Sequence, residues 1–155
     1  MTFCPGKKQR GAMTGDWNRD LTMDLQVISA WGATVIVNLI EDHEMAALGV
    51  EDTAHCVPED MVYLRLPIPD FGVPDVAWET RWAVQGPALI ERLRAGQNIL
   101  LHCKGGLGRT GMIAARLLVE MGLSAENAIG CVRRARIGAI ETAAQEAHVR
   151  AIDHG

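Results

Sequence analysis

The sequence predicts an α/β fold: one domain over residues 1–155, with a mostly parallel central sheet and helices on both of its faces. Two apolar runs, Val35–Leu39 and Ile99–Leu101, have the composition of parallel strands that are buried on both faces. Each run is followed by polar or glycine-rich residues and then by a helix-like segment, so strands and helices alternate. The 155 residues, of which 48% are hydrophobic, suffice for one core.

The composition excludes several classes of protein. A net charge of −4 and an aromatic content of 5% do not fit nucleic-acid binding, which needs a basic surface and stacking side chains. The 4 cysteines form no Cys-x-x-Cys pair and are too scattered for a disulfide framework. The first residues carry no apolar signal segment, and no apolar run is long enough to span a bilayer. We therefore expect a cytoplasmic monomer without nucleic-acid partners or stable membrane association.

The residues before the first buried run predict a strand end, a link and a helix. Phe3–Gly6 is interpreted as the end of an edge strand, because Pro-Gly stops regular pairing, and residues 7–11 as a flexible basic link. Asp16 is a candidate cap for the helix, and Gly32 is suited to end it. The apolar face of this helix is expected to carry Leu21, Leu25 and Ile28.

A cluster of acids, Glu41-Asp42-His43-Glu44, follows the Val35–Leu39 strand. Three acids and a histidine this close together are compatible with a metal site. Such a cluster is more often the solvated first turn of a helix, where acids complement the helix dipole, and we adopt that interpretation. The next strand is expected at Met61–Leu66.

The segment Pro67–Asp75 holds three prolines and one glycine, so it is expected to be a stiffened loop at the end of a strand. Open α/β sheets place their sites at such ends. The loop carries two carboxylates. Asp75 stands directly before a helical pattern and is the better helix cap, which leaves Asp70 as a candidate acid.

Four helices are predicted in the second half of the chain. They are expected from Trp78 to a stop at Gly96, from about Thr110 to Met121, from Ser124 onward, and through His148 to Ile152 at the end. The second of these is apolar nearly all round and should be buried in the centre of the domain.

The most informative stretch is residues 102–111, His-Cys-Lys-Gly-Gly-Leu-Gly-Arg-Thr-Gly, between the Ile99–Leu101 strand and a helix. A glycine-rich turn that leads into a helix directs backbone N–H groups into one concavity and therefore forms an anion site. The same donors stabilise a thiolate at Cys103, and the Arg109 guanidinium can grip two phosphoryl oxygens. The phosphate-binding residues are expected to be Lys104, Gly105, Gly106, Leu107, Gly108 and Arg109.

Two other interpretations explain this stretch less well. A nucleotide-binding phosphate loop would have a lysine where Arg109 stands. A buried structural cysteine would not account for three glycines and an arginine in the six positions that follow Cys103.

The stretch resembles the active-site loop of cysteine-dependent protein phosphatases, in particular the kinase-associated phosphatase group of the dual-specificity enzymes. Pro67–Asp75 is similar to the acid loop of the same group. The resemblance implies the dual-specificity phosphatase fold and metal-independent hydrolysis through a phosphocysteine intermediate. Cys103 would be the nucleophile, Asp70 the general acid and Arg109 the phosphate clamp, and no cofactor would be needed. The Thr110 hydroxyl would donate to the sulfur as the intermediate breaks down.

The resemblance also suggests supporting residues. His102 would tune the cysteine by hydrogen bonding, although a buried core histidine is an alternative. Gln145 would orient the hydrolytic water, with a surface glutamine as an equally favoured alternative. Glu41 or Asp42 would orient catalytic groups. The basic residues 133–136 would either meet an acidic or phosphorylated substrate or be solvated.

The expected partner is a phosphorylated protein or peptide that carries phosphotyrosine or phosphoserine/phosphothreonine. Lys104 resembles the first loop lysine of inositide phosphatases, but Leu107 occupies their second basic position, so a phosphoinositide is the less favoured substrate. A non-catalytic phospho-binding module and a rhodanese-type sulfur transferase are the alternatives from other classes. The Cys103 thiolate should be oxidisable, and Cys4 is a more plausible resolving partner than Cys56.

Overall fold

The computed structural model describes residues 1–153 and contains, within that range, seven helices and five strands. In chain order the elements are β1 (Lys8–Ala12), β2 (Gly15–Asn18), α1 (Leu21–Ala30), β3 (Ala33–Asn38), α2 (Asp42–Leu48), α3 (Thr53–Cys56), β4 (Val62–Arg65), α4 (Val76–Arg94), β5 (Asn98–His102), α5 (Gly108–Glu120), α6 (Ala125–Ala135) and α7 (Ala143–Asp153).

The central sheet is parallel, and β3 lies between β4 and β5. Val37 of β3 pairs with Leu64 on one side and with Leu101 on the other. Thr2 forms a parallel bridge with His102, so the start of the chain extends the β5 edge. The predicted α/β class with a mostly parallel sheet is confirmed, since the antiparallel strands described are confined to the separate β1–β2 hairpin.

The two faces of the sheet are covered by different helices because successive side chains of a strand point to opposite faces. Val35 and Val37 belong to the larger apolar cluster, which includes buried residues of α4, α5, α6 and α7. Ile36 belongs to a smaller cluster with Leu25 and Ile28 of α1. All three β3 side chains are inaccessible to solvent, as expected for a strand buried on both faces.

The N-terminal third differs from the prediction in two places. The expected flexible link is β1, which pairs with β2 in an antiparallel hairpin. Asp16 lies in β2, where its carboxylate accepts the Gly11 N–H at 2.7 Å, and it does not cap a helix. The cap of α1 is Asp20, which accepts the Met23 N–H at 2.9 Å. The hairpin occupies residues 8–18, so the helix begins after it.

Other predicted boundaries are confirmed. Gly32 follows α1 with φ 84°, in the left-handed region that glycine accommodates. Asp75 caps α4 by accepting the Trp78 N–H at 2.7 Å, and Ser124 caps α6. The acid cluster forms the first turn of α2, with Glu41 at its cap position. Within residues 1–153, none of the helices is both long and apolar enough to cross a bilayer.

Replacing Asp20 with alanine should lower the free energy of unfolding by about 1 kcal/mol, because the Met23 N–H loses its acceptor at the start of α1. Urea unfolding of Asp20→Ala measures this loss of stability, with Asp16→Ala as the control variant. A larger loss for Asp16→Ala would contradict the assignment of the cap.

Candidate active site

The phosphate loop lies between β5 and α5, at the carboxyl end of the sheet, as predicted. Cys103 begins it and is 3% exposed, and the Gly106 N–H donates to its Sγ at 3.2 Å. Gly106 has φ 73°, and a Cβ at this position would collide with the backbone of Thr2. The loop therefore needs glycine here, and its outer surface packs directly against the start of the chain.

Arg109, in the first turn of α5, is held from two sides. Its Nη1 and Nη2 donate to the two carboxylate oxygens of Glu44 at 2.7 and 2.8 Å, and Nη1 also donates to the Ile68 carbonyl at 3.0 Å. The Glu44 carboxylate also accepts the Glu41 N–H at 2.8 Å. The guanidinium is therefore oriented by α2 and by the acid loop.

Glu44 belongs to the acid cluster that was expected to form a solvated first turn, but its side chain is buried, and its pairing with Arg109 was not predicted. Burial alone would raise the pKa of Glu44, but the hydrogen bonds from Arg109 and from the Glu41 N–H, together with the Arg109 charge, outweigh burial and leave this pKa below its usual range. Glu44 shares one helix face with buried Leu48, four positions on. A carboxylate on an apolar face is the signal that would have indicated a buried partner.

The other acids of this cluster make contacts of their own. Asp42 pairs with Arg65 at 2.5 Å, whereas the Glu41 carboxylate lies 3.8 Å from His43. A role for Glu41 or Asp42 in orienting catalytic groups stays a prediction. Ligand atoms of Glu41, His43 and Glu44 lie within 4.8 Å of one another. However, both Glu44 oxygens already accept hydrogen bonds from Arg109, which is consistent with an ion-pair role for Glu44.

Asp70 comes from the acid loop and meets the same guanidinium. Its Oδ1 lies 3.0 Å from Arg109 Nη2, and its side chain is 41% exposed, so the carboxylate lies where an incoming ligand can reach it. Phe71 follows with φ 57° and presents a 60% exposed ring beside the acid. Asp75 is occupied as the cap of α4, which supports the division of roles made from the sequence.

The acid loop is anchored by the segment before α7 and by the first turn of that helix. Thr142 Oγ1 donates to the Phe71 carbonyl at 3.5 Å, and Gln145 Nε2 donates to the Gly72 carbonyl at 3.3 Å. Gln145 Oε1 accepts the Glu141 and Thr142 N–H groups. Gln145 is fully buried, so the surface alternative is wrong. Its role in orienting water stays a prediction, because the amide described here binds the backbone.

Two buried polar side chains lie at the two ends of the phosphate loop, His102 directly before Cys103 and Thr110 directly after Arg109. Thr110 is fully buried, and its hydroxyl has no hydrogen-bond partner among residues 1–153. Its donation to the sulfur stays a prediction. His102 is 1% exposed, and its Nδ1 lies 3.2 Å from the Cys103 carbonyl. Burial lowers the pKa of His102 to about 4, so the imidazole is neutral at neutral pH.

The remaining predicted phosphate-binding residues lie along the same turn, with Lys104 half-buried, Gly105 exposed and Leu107 half-buried. The basic residues at the end of α6 contact different parts of the chain. Arg133 donates to the Ala139 and Ile140 carbonyls, whereas Arg136 Nη2 donates to the Gly105 carbonyl at 3.0 Å. Of these two residues, Arg136 reaches the phosphate loop.

Comparison with solved structures places the fold among the cysteine-dependent phosphatases. Kinase-associated phosphatase, in a structure whose catalytic-site cysteine is replaced by serine, superposes with a TM-score of 0.81 at 26% identity over 95% of this chain and 80% of that one. The active form of Tk-PTP superposes with a TM-score of 0.69 at 31% identity over 86% of each chain.

Sequence comparison identifies the family. A family model matches residues 11–123 of this chain, and its description is "Tc-R-P: Polymorphic toxin system, DSP-PTPase phosphatase". The chain therefore belongs to this family. Cyclin-dependent kinase inhibitor 3 of Rattus norvegicus is 39% identical over 82 residues, which are 51% of this chain and 37% of that protein. The match to this curated relative thus covers little more than a third of its length. The resemblance to the kinase-associated phosphatase group is confirmed.

Acidification should destabilise the fold through His102. Its pKa is about 4 in the fold against 6.5 when unperturbed, so the unfolded state binds more protons between these values. The neutral, buried imidazole thus contributes roughly 3 kcal/mol to the free energy of unfolding. This stabilisation is fully present above about pH 6.5 and is lost as the pH falls towards 4. Urea unfolding of the wild type and His102→Gln between about pH 7 and 4.5 should show a shallower pH dependence in the variant. Identical slopes would contradict this assignment.

Proposed function

We propose that this protein hydrolyses phosphate monoesters through a cysteinyl-phosphate intermediate, as a tyrosine and dual-specificity protein phosphatase whose catalytic domain is residues 1–155. One observation carries the proposal: the guanidinium that follows the phosphate loop also contacts the Asp70 carboxylate, 3.0 Å away. This contact supports the proposal that the nucleophile, the anion site and the acid act on one phosphoryl group.

In the first step the Cys103 thiolate attacks phosphorus, so a P–S bond forms as the ester P–O bond breaks. Arg109 and the loop N–H groups bind the equatorial oxygens and stabilise the charge that spreads over them. Asp70 gives its proton to the leaving oxygen, which departs as a neutral alcohol.

In the second step water attacks phosphorus and the P–S bond breaks. Asp70, now a carboxylate, accepts a proton from this water. The Thr110 hydroxyl donates to the departing sulfur, and its lack of another partner among the described residues supports this role. The step releases phosphate and restores the thiolate. All the groups that act in the two steps are side chains and N–H groups of this chain and water.

The surroundings of the site favour a phosphorylated protein or peptide. The exposed ring of Phe71 stands next to the acid and offers a flat apolar surface to an aromatic leaving group. Leu107 supplies no second charge for a polyphosphorylated headgroup, which keeps phosphoinositides as the second candidate. A phospho-binding module without activity would not require an acid beside the arginine.

We further propose that the protein is a cytoplasmic monomer with an oxidisable Cys103. All four cysteines are free, in keeping with a reducing compartment. Burial raises the pKa of the Cys4 thiol to about 12, so this thiol stays protonated and would react slowly with an oxidised Cys103. Cys56 is exposed on α3.

The wild type should release phosphate from p-nitrophenyl phosphate, and Cys103→Ser should abolish this release, because a serine hydroxyl in this loop is not ionised. Phosphate release assayed at neutral pH checks the result, with the Thr14→Ser variant of the exposed β1–β2 turn as the control. Unchanged turnover in Cys103→Ser, or no turnover in either protein, would contradict the proposed activity.

Replacing Asp70 with alanine should reduce kcat by about 10²-fold or more for phosphopeptides, because their side-chain oxygens are poor leaving groups without a proton. The reduction should be smaller for p-nitrophenyl phosphate, whose leaving group is weakly basic. The matched variant Asp75→Ala should keep its kcat but lose about 1 kcal/mol of stability as a helix cap. Screening Asp70→Ala as a trap against phosphopeptides and phosphoinositide vesicles identifies the substrate class. A greater loss of kcat in Asp75→Ala would reverse the assignment of the two acids.

A further inference from the structure

Two cationic side chains contact the phosphate loop from outside. Lys7, just before β1, and Arg136, just after α6, donate to consecutive carbonyl oxygens of the loop, those of Lys104 and Gly105. Neither cation belongs to the catalytic groups described above, and the two come from opposite ends of the chain.

Lys7 is unusually buried for a lysine, at 4% exposure. Its Nζ donates to the Lys104 carbonyl at 3.2 Å, and the Cys4 N–H donates to the same oxygen, also at 3.2 Å. The ammonium lies 3.9 Å from the ring centroid of Trp17 in β2, which compensates part of its lost hydration. The hairpin that the sequence did not predict therefore holds a charge against the loop.

Arg136 is the residue at which the chain leaves α6 in an extended conformation. Its Nη2 donates to the Gly105 carbonyl at 3.0 Å. Its Nε is buried and has no hydrogen-bond partner in the part of the chain that is described. The guanidinium is therefore bound to the loop through Nη2.

Peptide geometry connects these outer contacts to the inside of the loop. No peptide bond among the described residues is cis, so each N–H points opposite to the carbonyl of its own peptide group. The peptide that gives its oxygen to Arg136 therefore directs the Gly106 N–H to the other side, where it donates to Cys103 Sγ at 3.2 Å. By the same geometry, the peptide held by Lys7 turns the Gly105 N–H away from that ammonium.

We propose that Lys7 and Arg136 are positioning residues for the phosphate loop. They hold two peptide groups whose glycines would otherwise allow rotation, and their charges polarise these groups so that the inner N–H groups bind a thiolate or an oxyanion more strongly. The role rests on the proposed function, since it makes both cations serve the thiolate and the phosphoryl group. Each cation acts through a peptide and touches no reacting atom.

The test measures thiolate reactivity and oxyanion binding in Lys7→Met and Arg136→Met. Cys103 is alkylated with iodoacetamide at pH values from about 5 to 9, and mass spectrometry of its peptide follows the reaction. In both variants the alkylation should be about tenfold slower than in the wild type near pH 6 and equally fast at the upper end of the range. Orthovanadate binding should weaken by about tenfold. The exposed residues Lys8 and Arg94 provide the controls Lys8→Met and Arg94→Met, which should match the wild type.

A purely structural tether would predict a different result. Arg136→Gln and Lys7→Gln keep a donor without the charge, so on our proposal they behave like the methionine variants, whereas Arg136→Lys restores reactivity near pH 6. Unchanged alkylation profiles in folded variants, or glutamine variants that match the wild type, would overturn the inference. If the wild type fails to hydrolyse p-nitrophenyl phosphate while the alkylation shift persists, the proposed function fails and the positioning role stands.

Discussion

The buried ion pair between Arg109 and Glu44 is the interaction on which the rest of the site depends. It joins α5 to α2 through two hydrogen bonds, and the same guanidinium contacts the acid loop at Ile68 and Asp70. With the two side chains only 2% and 8% exposed, neither charge can exchange its partner for water. The arginine is therefore oriented before any ligand arrives, and the phosphate loop and the acid loop are aligned because both contact this one group.

The phosphate loop itself is restrained from two directions. On its inner side an N–H group faces the sulfur, and on its outer side the carbonyl groups are bound by the N-terminal hairpin region and by the end of α6. Glycines let this loop approach a ligand closely, but they also leave it many conformations. The surrounding elements, drawn from both ends of the chain, remove that freedom.

The sequence predicted features that depend on local pattern. The strand Val35–Leu39, the loop after His102 and the cap at Asp75 were all recognisable from residues within a few positions of one another. The hairpin and the Asp20 cap were not, since residues 7–18 lack the alternation that marks a strand. The pairing of Glu44 with Arg109 was not predicted, because the two residues are 65 positions apart in the sequence. Such a contact becomes visible only once the fold brings the two side chains together.

The left-handed conformation of Phe71 affects the stability of the acid loop. A bulky side chain at φ 57° carries about 1–2 kcal/mol of backbone strain, which glycine would not. The hydrogen bonds from Thr142 and Gln145 must outweigh that strain to keep the loop in place. This strain offsets part of the free energy that these contacts contribute, so displacing the loop requires less free energy than the contacts alone would indicate. The segment that carries Asp70 is therefore held in place against an opposing backbone strain.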